Sequence, residues 1–499
     1  MTKGTVAIIG AGVGGLVSAR MLAGEGFDVT VFESHDDLGG QWNYTNTNSG
    51  VWPTMRTNTA DFATKTSEMK FREGTKIFPR NTEVLDMIND FVDIYELRQR
   101  CRFGCEVTGL SQADGGYEVS WKQSGEHHSQ AFDRVVVAKG RFNKPEMPDI
   151  EGLDGFTGRG GVVHAFNYKD PLQFRDMNIV VLGGSISSME VASDQSLMGT
   201  GRVYMAQRRQ RYVMPKMFAG TPLEYLAFTL EGAQAIATST VDELLAGAKE
   251  FLELEGGNPA RYGAPAPHED MAEAGVTGSQ HYLNLVAEDR IDVRPWVKRI
   301  DGDQVTFEDG STVQADVIII GTGFELDLAF LSDDIARTVN LTSHGIDLAQ
   351  FTFHPDLPGL AFIGLFAQLG PYPVVLEQQA RWVAYCWGGK LPMPSDEDLR
   401  QGVKDCVEEQ HHVGYREQHE MALRFARLIG ATPEAGDDGE LAAILPKCAT
   451  TGELYRISGP DAYPWAVDYV KRHFWSHAPI LTRREIGSRI GRDQNGNPV

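Results

Sequence analysis

Cysteine is scarce in this 499-residue chain. The five cysteines are Cys101, Cys105, Cys386, Cys406 and Cys448, and no Cys-x-x-Cys pair occurs. A small, odd set of thiols argues against a disulfide framework and favours a reducing compartment. The missing Cys-x-x-Cys pair also argues against a dithiol reductase. We therefore predict a cytoplasmic protein whose cysteines are structural thiols.

Long hydrophobic runs and an excess of positive charge are also lacking. No stretch approaches the roughly 18 consecutive apolar residues that would suggest a membrane span. Lys and Arg number 46 against 68 Asp and Glu, which gives a net charge of −22. Nucleic acids and anionic membranes are bound through cationic surfaces, so we expect neither as a partner. The first predicted strand begins at Thr5, so we expect no signal peptide. No metal site is predicted.

The chain begins with a nucleotide-binding β-α-β unit. After an apolar strand over residues 5–9 comes a glycine-rich turn of Gly10, Ala11, Gly12, Val13, Gly14 and Gly15. Gly10 permits the tight turn, Gly12 lets the backbone approach a pyrophosphate, and Gly15 lets the helix pack on the strand. The helix N-terminus offers free N–H groups to phosphates. The next strand ends at Glu33, whose carboxylate suits ribose hydroxyls and disfavours a 2′-phosphate. This unit should therefore bind FAD or NAD.

A second, degenerate unit lies about 170 residues later. The strand over residues 179–182 is followed by Gly183, Gly184, Ser185, Ile186, Ser187 and Ser188. Serines at 185 and 188 stand where glycines are usual. No acid ends the next strand, and Arg208 and Arg209 follow it, a pair that suits a 2′-phosphate. The sequence thus assigns NADPH to this unit and FAD to the first, as in flavoenzymes that a nicotinamide cofactor reduces.

The order of these units predicts an α/β fold with two Rossmann-like dinucleotide-binding domains, the NADPH domain inserted into the FAD domain. Buried strands over 134–138 and 316–320 flank the second unit. The predicted boundaries are 1–165 for the first part of the FAD domain, 166–312 for the NADPH domain and 313–450 for the second part of the FAD domain. A C-terminal helical segment and tail covers 451–499.

Two loop motifs add candidate site residues. Gly40 lets the backbone pass close to a dinucleotide, while Gln41 and Trp42 could hydrogen-bond and stack, although a turn and a core tryptophan fit equally well. Asn58, between Thr57 and Thr59, offers a compact amide with donors and an acceptor. In a loop over a flavin it could hydrogen-bond an oxygen species or the nicotinamide amide; in isolation it fits an ordinary turn.

Taken together, these motifs resemble the flavin-containing monooxygenases, within the class B flavoprotein monooxygenases. The resemblance covers roughly residues 5–440 and includes the Phe156…His164…Tyr168 crossover and the Gly321-Thr322-Gly323-Phe324 turn. It departs from the family in two extra residues before His164 and in Lys139 where Thr is usual. The predicted cofactor-binding residues also include Thr57, Thr59, Val107, Thr322 and Gln379.

The resemblance implies an activity. NADPH reduces FAD, O₂ adds at the flavin C4a position, and the hydroperoxide passes one oxygen atom to a nitrogen or sulfur nucleophile of a small substrate, as in N,N-dimethylaniline monooxygenases. By the same resemblance, Asn58 stabilises the hydroperoxide and contacts the nicotinamide end.

Two other functions stay open. Baeyer–Villiger oxygenation of a ketone uses the same scaffold, although Tyr168 stands where those enzymes usually show Trp. A flavin-bound, non-catalytic protein would have lost NADPH binding with its glycines, although Arg208 and Arg209 argue against that. A homodimer is an open alternative for the assembly.

Overall fold

Two separate sheets of five parallel strands build the framework of the molecule. The computed structural model describes residues 2–199, 201–412 and 416–499. The elements up to residue 145 are β1 (Thr5–Ile9), α1 (Val13–Gly24), β2 (Asp28–Phe32), α2 (Asn81–Ile94), β3 (Cys101–Arg102), β4 (Cys105–Ala113), β5 (Gly116–Gln123), β6 (Glu126–Phe132), β7 (Arg134–Val137) and β8 (Lys144–Pro145).

The central part of the chain holds the second sheet and its coverings. Its elements are β9 (Gly161–His164), β10 (Ile179–Leu182), α3 (Ile186–Leu197), β11 (Val203–Ala206), β12 (Tyr212–Met214), β13 (Met217–Phe218), β14 (Thr221–Pro222), α4 (Glu224–Ala227), α5 (Leu230–Ile236), α6 (Val241–Glu255), α7 (Met271–Ala274), β15 (Val276–Gly278), α8 (Tyr282–Ala287), β16 (Ile291–Arg294), β17 (Val297–Asp301), β18 (Gln304–Phe307), β19 (Thr312–Gln314), β20 (Val317–Ile320) and β21 (Phe324–Glu325).

The remaining part is mainly helical. Its elements are α9 (Asp333–Thr338), β22 (Leu360–Phe362), β23 (Gln368–Leu369), α10 (Pro373–Gly388), α11 (Asp396–His412), β24 (Arg416–Glu417), α12 (Gln418–Leu428), α13 (Gly439–Ile444), α14 (Ala466–His477) and α15 (Ile480–Ile490). Within the described ranges, no helix combines the length and the apolar character that crossing a bilayer requires.

The first sheet has the strand order β22-β7-β1-β2-β3, and every pairing in it is parallel. Its central strands are short, apolar and buried, as strands covered on both faces must be. Helix α1 packs against α10, so the first nucleotide motif lies between the sheet and a helix from much later in the chain.

The second sheet has the order β16-β11-β10-β20-β9, again all parallel. Strand β9 pairs with β20, and β20 pairs with β10. The predicted boundaries at residues 165 and 313 are therefore wrong, because they place β9 and β20 with the first domain. For β20 the physical cause is that a buried apolar strand followed by glycine has the same pattern in either sheet. Strand β9 is only partly buried and shows no such pattern.

The second sheet is inserted into the first, as predicted. The chain leaves through β8 and returns through β21, and these two short strands pair antiparallel, Phe324 with Pro145. The first sheet is completed by β22, which pairs with β7. The two crossings between the domains therefore lie side by side.

The segment after residue 450 is joined to the first domain by a buried ionic cluster. Arg456 donates to Glu377 of α10 at 2.7 Å, and Glu377 also accepts from the main-chain N–H of Ser67 at 2.7 Å. Asp461 accepts from both Arg456 and Arg381. Both arginine side chains are almost completely buried. This part of the predicted C-terminal helical segment is therefore an integral part of the core.

Candidate functional site

A cavity of about 2230 Å³ is lined by residues of both nucleotide motifs and of the Asn58 loop. Gly12 and Glu33 come from the first motif, and Ser185 and Ser187 from the second. Pockets for drug-sized ligands measure about 300–1,000 Å³, so this cavity has room for ligands as large as dinucleotides.

The first motif forms a cradle that side chains would fill. Gly10 has φ +107°, and a Cβ there would lie 2.7 Å from the carbonyl oxygen of Ala138. A Cβ on Gly15 would lie 1.9 Å from the carbonyl oxygen of Gly10. On the opposite wall, a Cβ on Gly40 would lie 2.9 Å from the Cα of Gly12. These glycines therefore let the first turn, α1 and the Gly40 loop pack closely together at the cavity.

The polar groups of this cradle also suit a dinucleotide. Gly12 is the N-cap of α1, and no side chain caps that helix, so its first N–H groups can serve a phosphate. Glu33 is buried and lines the cavity. Its Oε2 accepts from the Ala11 N–H at 2.9 Å, and its Oε1 accepts from the His35 N–H at 3.0 Å. These bonds fix the carboxylate in the wall, where ribose hydroxyls could reach it.

The Gln41 side chain is engaged inside the protein. Its Nε2 donates to the carbonyl oxygens of Asn48 at 3.0 Å and Phe142 at 2.6 Å, and its Oε1 accepts from the Gly50 N–H at 2.8 Å. Gln41 thus holds a wall of the cavity in place. The sequence analysis predicted a contact with a dinucleotide and did not predict this structural role. Trp42 also lines the wall, half-buried against the main core.

The Asn58 loop is held by local hydrogen bonds. The Thr57 N–H donates to the Pro79 carbonyl oxygen at 2.9 Å, and the Thr57 hydroxyl donates to the Thr59 carbonyl oxygen at 2.8 Å. Asn58 lines the cavity, and its Oδ1 is buried with no hydrogen-bond partner among the described residues. A buried acceptor without a partner is costly in a native structure. It fits a site where a ligand supplies the donor.

The second motif replaces glycine packing with hydrogen bonds. Gly183 has φ +126°, and a Cβ there would lie 2.4 Å from the Ser188 Oγ. The Ser188 hydroxyl is buried within hydrogen-bond distance of the carbonyl oxygens of Gly321 (3.1 Å) and Leu182 (3.3 Å). Ser188 therefore anchors α3 to β10 and to the turn after β20. Ser185 and Ser187 line the cavity. The lining does not include Gly183, Gly184 or Ser188. Ser185 is the N-cap of α3 and its side chain makes no capping bond.

The arginines differ from their predicted placement. Arg208 and Arg209 are exposed and do not line the cavity. The Arg208 guanidinium lies 4.6 Å from the centre of the Trp296 ring, and Arg209 donates to the Glu273 carbonyl oxygen at 2.7 Å. Arg211, which the sequence analysis did not select, does line the cavity. Arg211 belongs to the same basic segment, residues 207–211, so that segment could have identified it.

Of the other predicted residues, some line the cavity and others support it from behind. Val107 and Thr322 line the cavity, and Thr322 donates its hydroxyl to the Glu146 carbonyl oxygen at 2.6 Å. Gln379 is fully buried behind the wall. Its amide donates to Thr352 Oγ1 at 2.8 Å and accepts from the Gly364 N–H at 3.0 Å. Gln379 therefore supports the loop after β22, and the structure does not bring its side chain to the cavity.

His164 lines the cavity at the end of β9. Its Nδ1 accepts from the Phe166 N–H at 3.1 Å, and its Nε2 is buried with no partner among the described residues. Burial lowers the pKa of His164, which favours the neutral ring. Tyr168, by contrast, lies in the core of the second domain, where its hydroxyl donates to Asp194 at 3.1 Å.

The family model for flavin-binding monooxygenase-like proteins matches residues 3–433. The chain belongs to this family. It is a monooxygenase of a family that uses FAD and NADPH, and the glycine cradle, the uncapped helix and Asn58 Oδ1 fit that pair of cofactors. The resemblance, the fold class and both cofactors are confirmed.

Relatives of known activity are distant. The chain is 26% identical to mouse dimethylaniline monooxygenase [N-oxide-forming] 2 over 92% of its length and 90% of that protein's. It is 28% identical to flavin-containing monooxygenase FMO GS-OX-like 7 of Arabidopsis thaliana over 80% of its length and 76% of that protein's.

Solved structures share the fold. S-allyl-L-cysteine S-oxygenase from Allium sativum superimposes with a TM-score of 0.64 at 22% identity, over 95% of this chain and 99% of that one. Cyclohexanone monooxygenase from Rhodococcus sp. Phi1 bound to NADP⁺ gives a TM-score of 0.61 at 17% identity, over 87% of this chain and 93% of that one.

Proposed function

We propose that the protein transfers one oxygen atom from O₂ to a nitrogen or sulfur nucleophile of a small organic substrate, with FAD in the first motif and NADPH in the second. One observation carries this proposal: a cavity joins both motifs, and the unpartnered Oδ1 of Asn58 lies in its wall. When bound, the two cofactors supply the electrons that activate O₂. The free thiols and the need for NADPH fit a reducing cytoplasmic compartment.

Asn58 is the proposed catalytic residue. The bonds of Thr57 hold its main chain, so its amide is kept in the wall of the cavity. The Oδ1 can accept from an amide N–H of the nicotinamide, and the Nδ2 can donate to an oxygen atom beside the flavin. A donor fixed in advance costs no reorganisation during the reaction.

The cavity walls formed by α4, α5 and α6 suit an apolar substrate. These wall residues, from α4, α5 and α6, are Leu226, Ala233, Ile236, Leu244 and Phe251. Apolar walls keep water from the reacting atoms and so limit the loss of activated oxygen as H₂O₂. A neutral amine or a thioether has the low polarity and the available electron pair that such a site requires.

The names of the relatives support the same class. One listed above forms N-oxides and another is an S-oxygenase. Baeyer–Villiger oxygenation of a ketone is an alternative outcome, because cyclohexanone monooxygenases share the fold. Tyr168 does not decide between them, because its side chain is buried in the second domain and does not line the cavity.

Product analysis tests the proposal. The purified protein, with FAD and NADPH, is given a tertiary amine, a thioether and a ketone, and the same protein stripped of FAD is the control. We expect an N-oxide or a sulfoxide in proportion to the NADPH consumed. An ester or lactone as the main product would establish the Baeyer–Villiger alternative. Oxidation of neither cofactor nor substrate would contradict the whole assignment.

A further inference from the structure

The Asn58 loop is held from outside by a hairpin of the second domain. Strands β13 and β14 form this hairpin, with Met217 paired to Pro222. Its two ends are joined by the hydrogen bond from the Leu223 N–H to the Lys216 carbonyl oxygen, at 3.0 Å. Lys216 and Glu224 stand at the two ends, and both side chains are directed at the loop.

Lys216 contacts the main chain immediately before Asn58. Its Nζ lies 3.4 Å from the Thr57 carbonyl oxygen and 3.3 Å from Glu190 Oε2. Glu190 belongs to α3, and its Oε1 accepts from the Ser279 hydroxyl at 2.8 Å. The ammonium group is therefore a bridge from the helix of the second nucleotide motif to the catalytic loop. Its burial, at 8% exposure, protects the bridge from solvent screening.

Glu224 contacts the main chain two residues after Asn58. Its Oε1 accepts from the Ala60 N–H at 2.9 Å, while its Oε2 is buried without a partner among the described residues. Burial raises the pKa of Glu224 to about 7. A buried carboxyl group kept at this position, at 3% exposure, has one evident use in the structure, which is to hold that N–H.

We infer that Lys216 and Glu224 are positioning residues for Asn58, and that Glu190 anchors Lys216 to the second domain. Neither Lys216, Glu190 nor Glu224 lines the cavity, so they act on the reaction through the main chain on either side of Asn58. The loop that carries the proposed catalytic amide is thereby held in register with the domain that binds the nicotinamide. This inference rests on the proposed role of Asn58.

Hydrogen–deuterium exchange of the FAD-loaded protein tests the holding contacts without turnover. The peptide to follow covers residues 56–62, in the wild type, Lys216→Met, Lys216→Arg, Glu224→Met and Glu224→Gln. Loss of a hydrogen bond to a charged group should speed local opening about tenfold. We expect faster exchange in Lys216→Met and Glu224→Met, and near-normal exchange in Lys216→Arg and in Glu224→Gln, whose amide oxygen can still accept from the Ala60 N–H. Lys447→Met, which removes a surface pair with Glu231, is the matched control and should exchange like the wild type.

The same variants are then compared in turnover by the ratio of product to H₂O₂ per NADPH. We expect Lys216→Met and Glu224→Met to shift oxygen toward H₂O₂, with FAD content unchanged. The double variant Lys216→Met/Glu190→Gln removes the carboxylate left without its cation, so it separates lost positioning from misfolding.

Unchanged exchange in the 56–62 peptide would overturn the inference, and so would faster exchange with a normal ratio of product to H₂O₂. If Lys216→Met does not fold, the comparison of Glu224→Met with Glu224→Gln tests the same inference. The exchange result stands even if Asn58→Ala shows no loss of product, which would refute the proposed function of Asn58 and leave the holding contacts intact.

Discussion

The side-chain amide of Asn58 is expected to decide whether activated oxygen reaches the substrate or is released as H₂O₂. Loss of one fixed donor from a dry site costs about 2.7–4 kcal/mol, or roughly 10²–10³ in rate. Asn58→Ala should keep FAD and oxidise NADPH, but release the oxygen as H₂O₂. Asn58→Asp should be worse, because it adds a negative charge and removes the amide donor. Coupled assays of NADPH, product and H₂O₂ measure this, with the exposed Asn284→Ala as control; full product yield in Asn58→Ala would leave Asn58 an ordinary loop residue.

Arg208 and Arg209 lie outside the cavity wall, but they follow β11 of the second motif and are exposed, so their long side chains can meet a 2′-phosphate. We therefore still expect them to carry the preference for NADPH over NADH. Each charge-assisted contact with a 2′-phosphate is worth about 1.5–3 kcal/mol, so Arg208→Ala or Arg209→Ala should weaken NADPH binding roughly ten- to a hundredfold. Binding of NADH should barely change. Titration of both nucleotides checks this, with Arg211→Ala as a comparison because Arg211 lines the cavity. Equal losses for both nucleotides would show that the arginines act on the structure of the domain.

Motif residues were easier to predict than the partners of their side chains. Gly12 and Glu33 line the cavity, as their short local pattern indicates, whereas Asn58 was selected through the family resemblance and also lines it. Gln379 and Gln41 were expected to contact a cofactor, yet their amides bond to the protein's own backbone. Such partners come from distant parts of the chain, as Phe142 does for Gln41. No local pattern encodes them.

At the scale of elements, the two nucleotide motifs solve one packing problem in two ways. In the first, Gly15 lets α1 approach β1; in the second, Ser188 ties α3 to its strand by hydrogen bonds. Gly15→Ala should therefore push α1 outward, at a cost of about 1–3 kcal/mol for an overpacked contact. We expect FAD affinity to fall roughly ten- to a hundredfold, measured by flavin absorbance after titration. Wild-type FAD binding by Gly15→Ala would show that the helix can shift without harm.

The corresponding substitution in the second motif, Ser188→Gly, should leave the position of α3 nearly unchanged but remove hydrogen bonds that stabilise it. Ser188→Gly removes a hydroxyl that has two carbonyl oxygens within hydrogen-bond distance, at about 0.5–1.5 kcal/mol for a bond, and places a glycine in a helix. We predict a lower midpoint in urea unfolding with NADPH binding largely retained. The opposite result, normal stability with NADPH binding lost, would mean that Ser188 faces the cofactor.

At the scale of the whole molecule, the buried ionic cluster makes the C-terminal segment part of the first domain. Removing one partner of a buried pair costs about 3–5 kcal/mol, because a charge is left without compensation. Arg456→Met should destabilise the protein by that amount, and Arg456→Met/Glu377→Gln should recover part of it. Urea unfolding measures both, against the exposed pair in Arg489→Met, which should cost less than about 1 kcal/mol. Equal stability of Arg456→Met and Arg489→Met would exclude the cluster as a structural link.

The paired crossings β8 and β21 have a consequence for how such enzymes can diversify. Because the departing and returning strands are neighbours, the two ends of the inserted block lie side by side. A block from a relative could be joined at the same two points without rebuilding either sheet, provided that it kept the contacts of Lys216 and Glu224 with the Asn58 loop. The preference for one nicotinamide coenzyme could then be exchanged together with the inserted block, while the FAD-binding part of the chain remained unchanged.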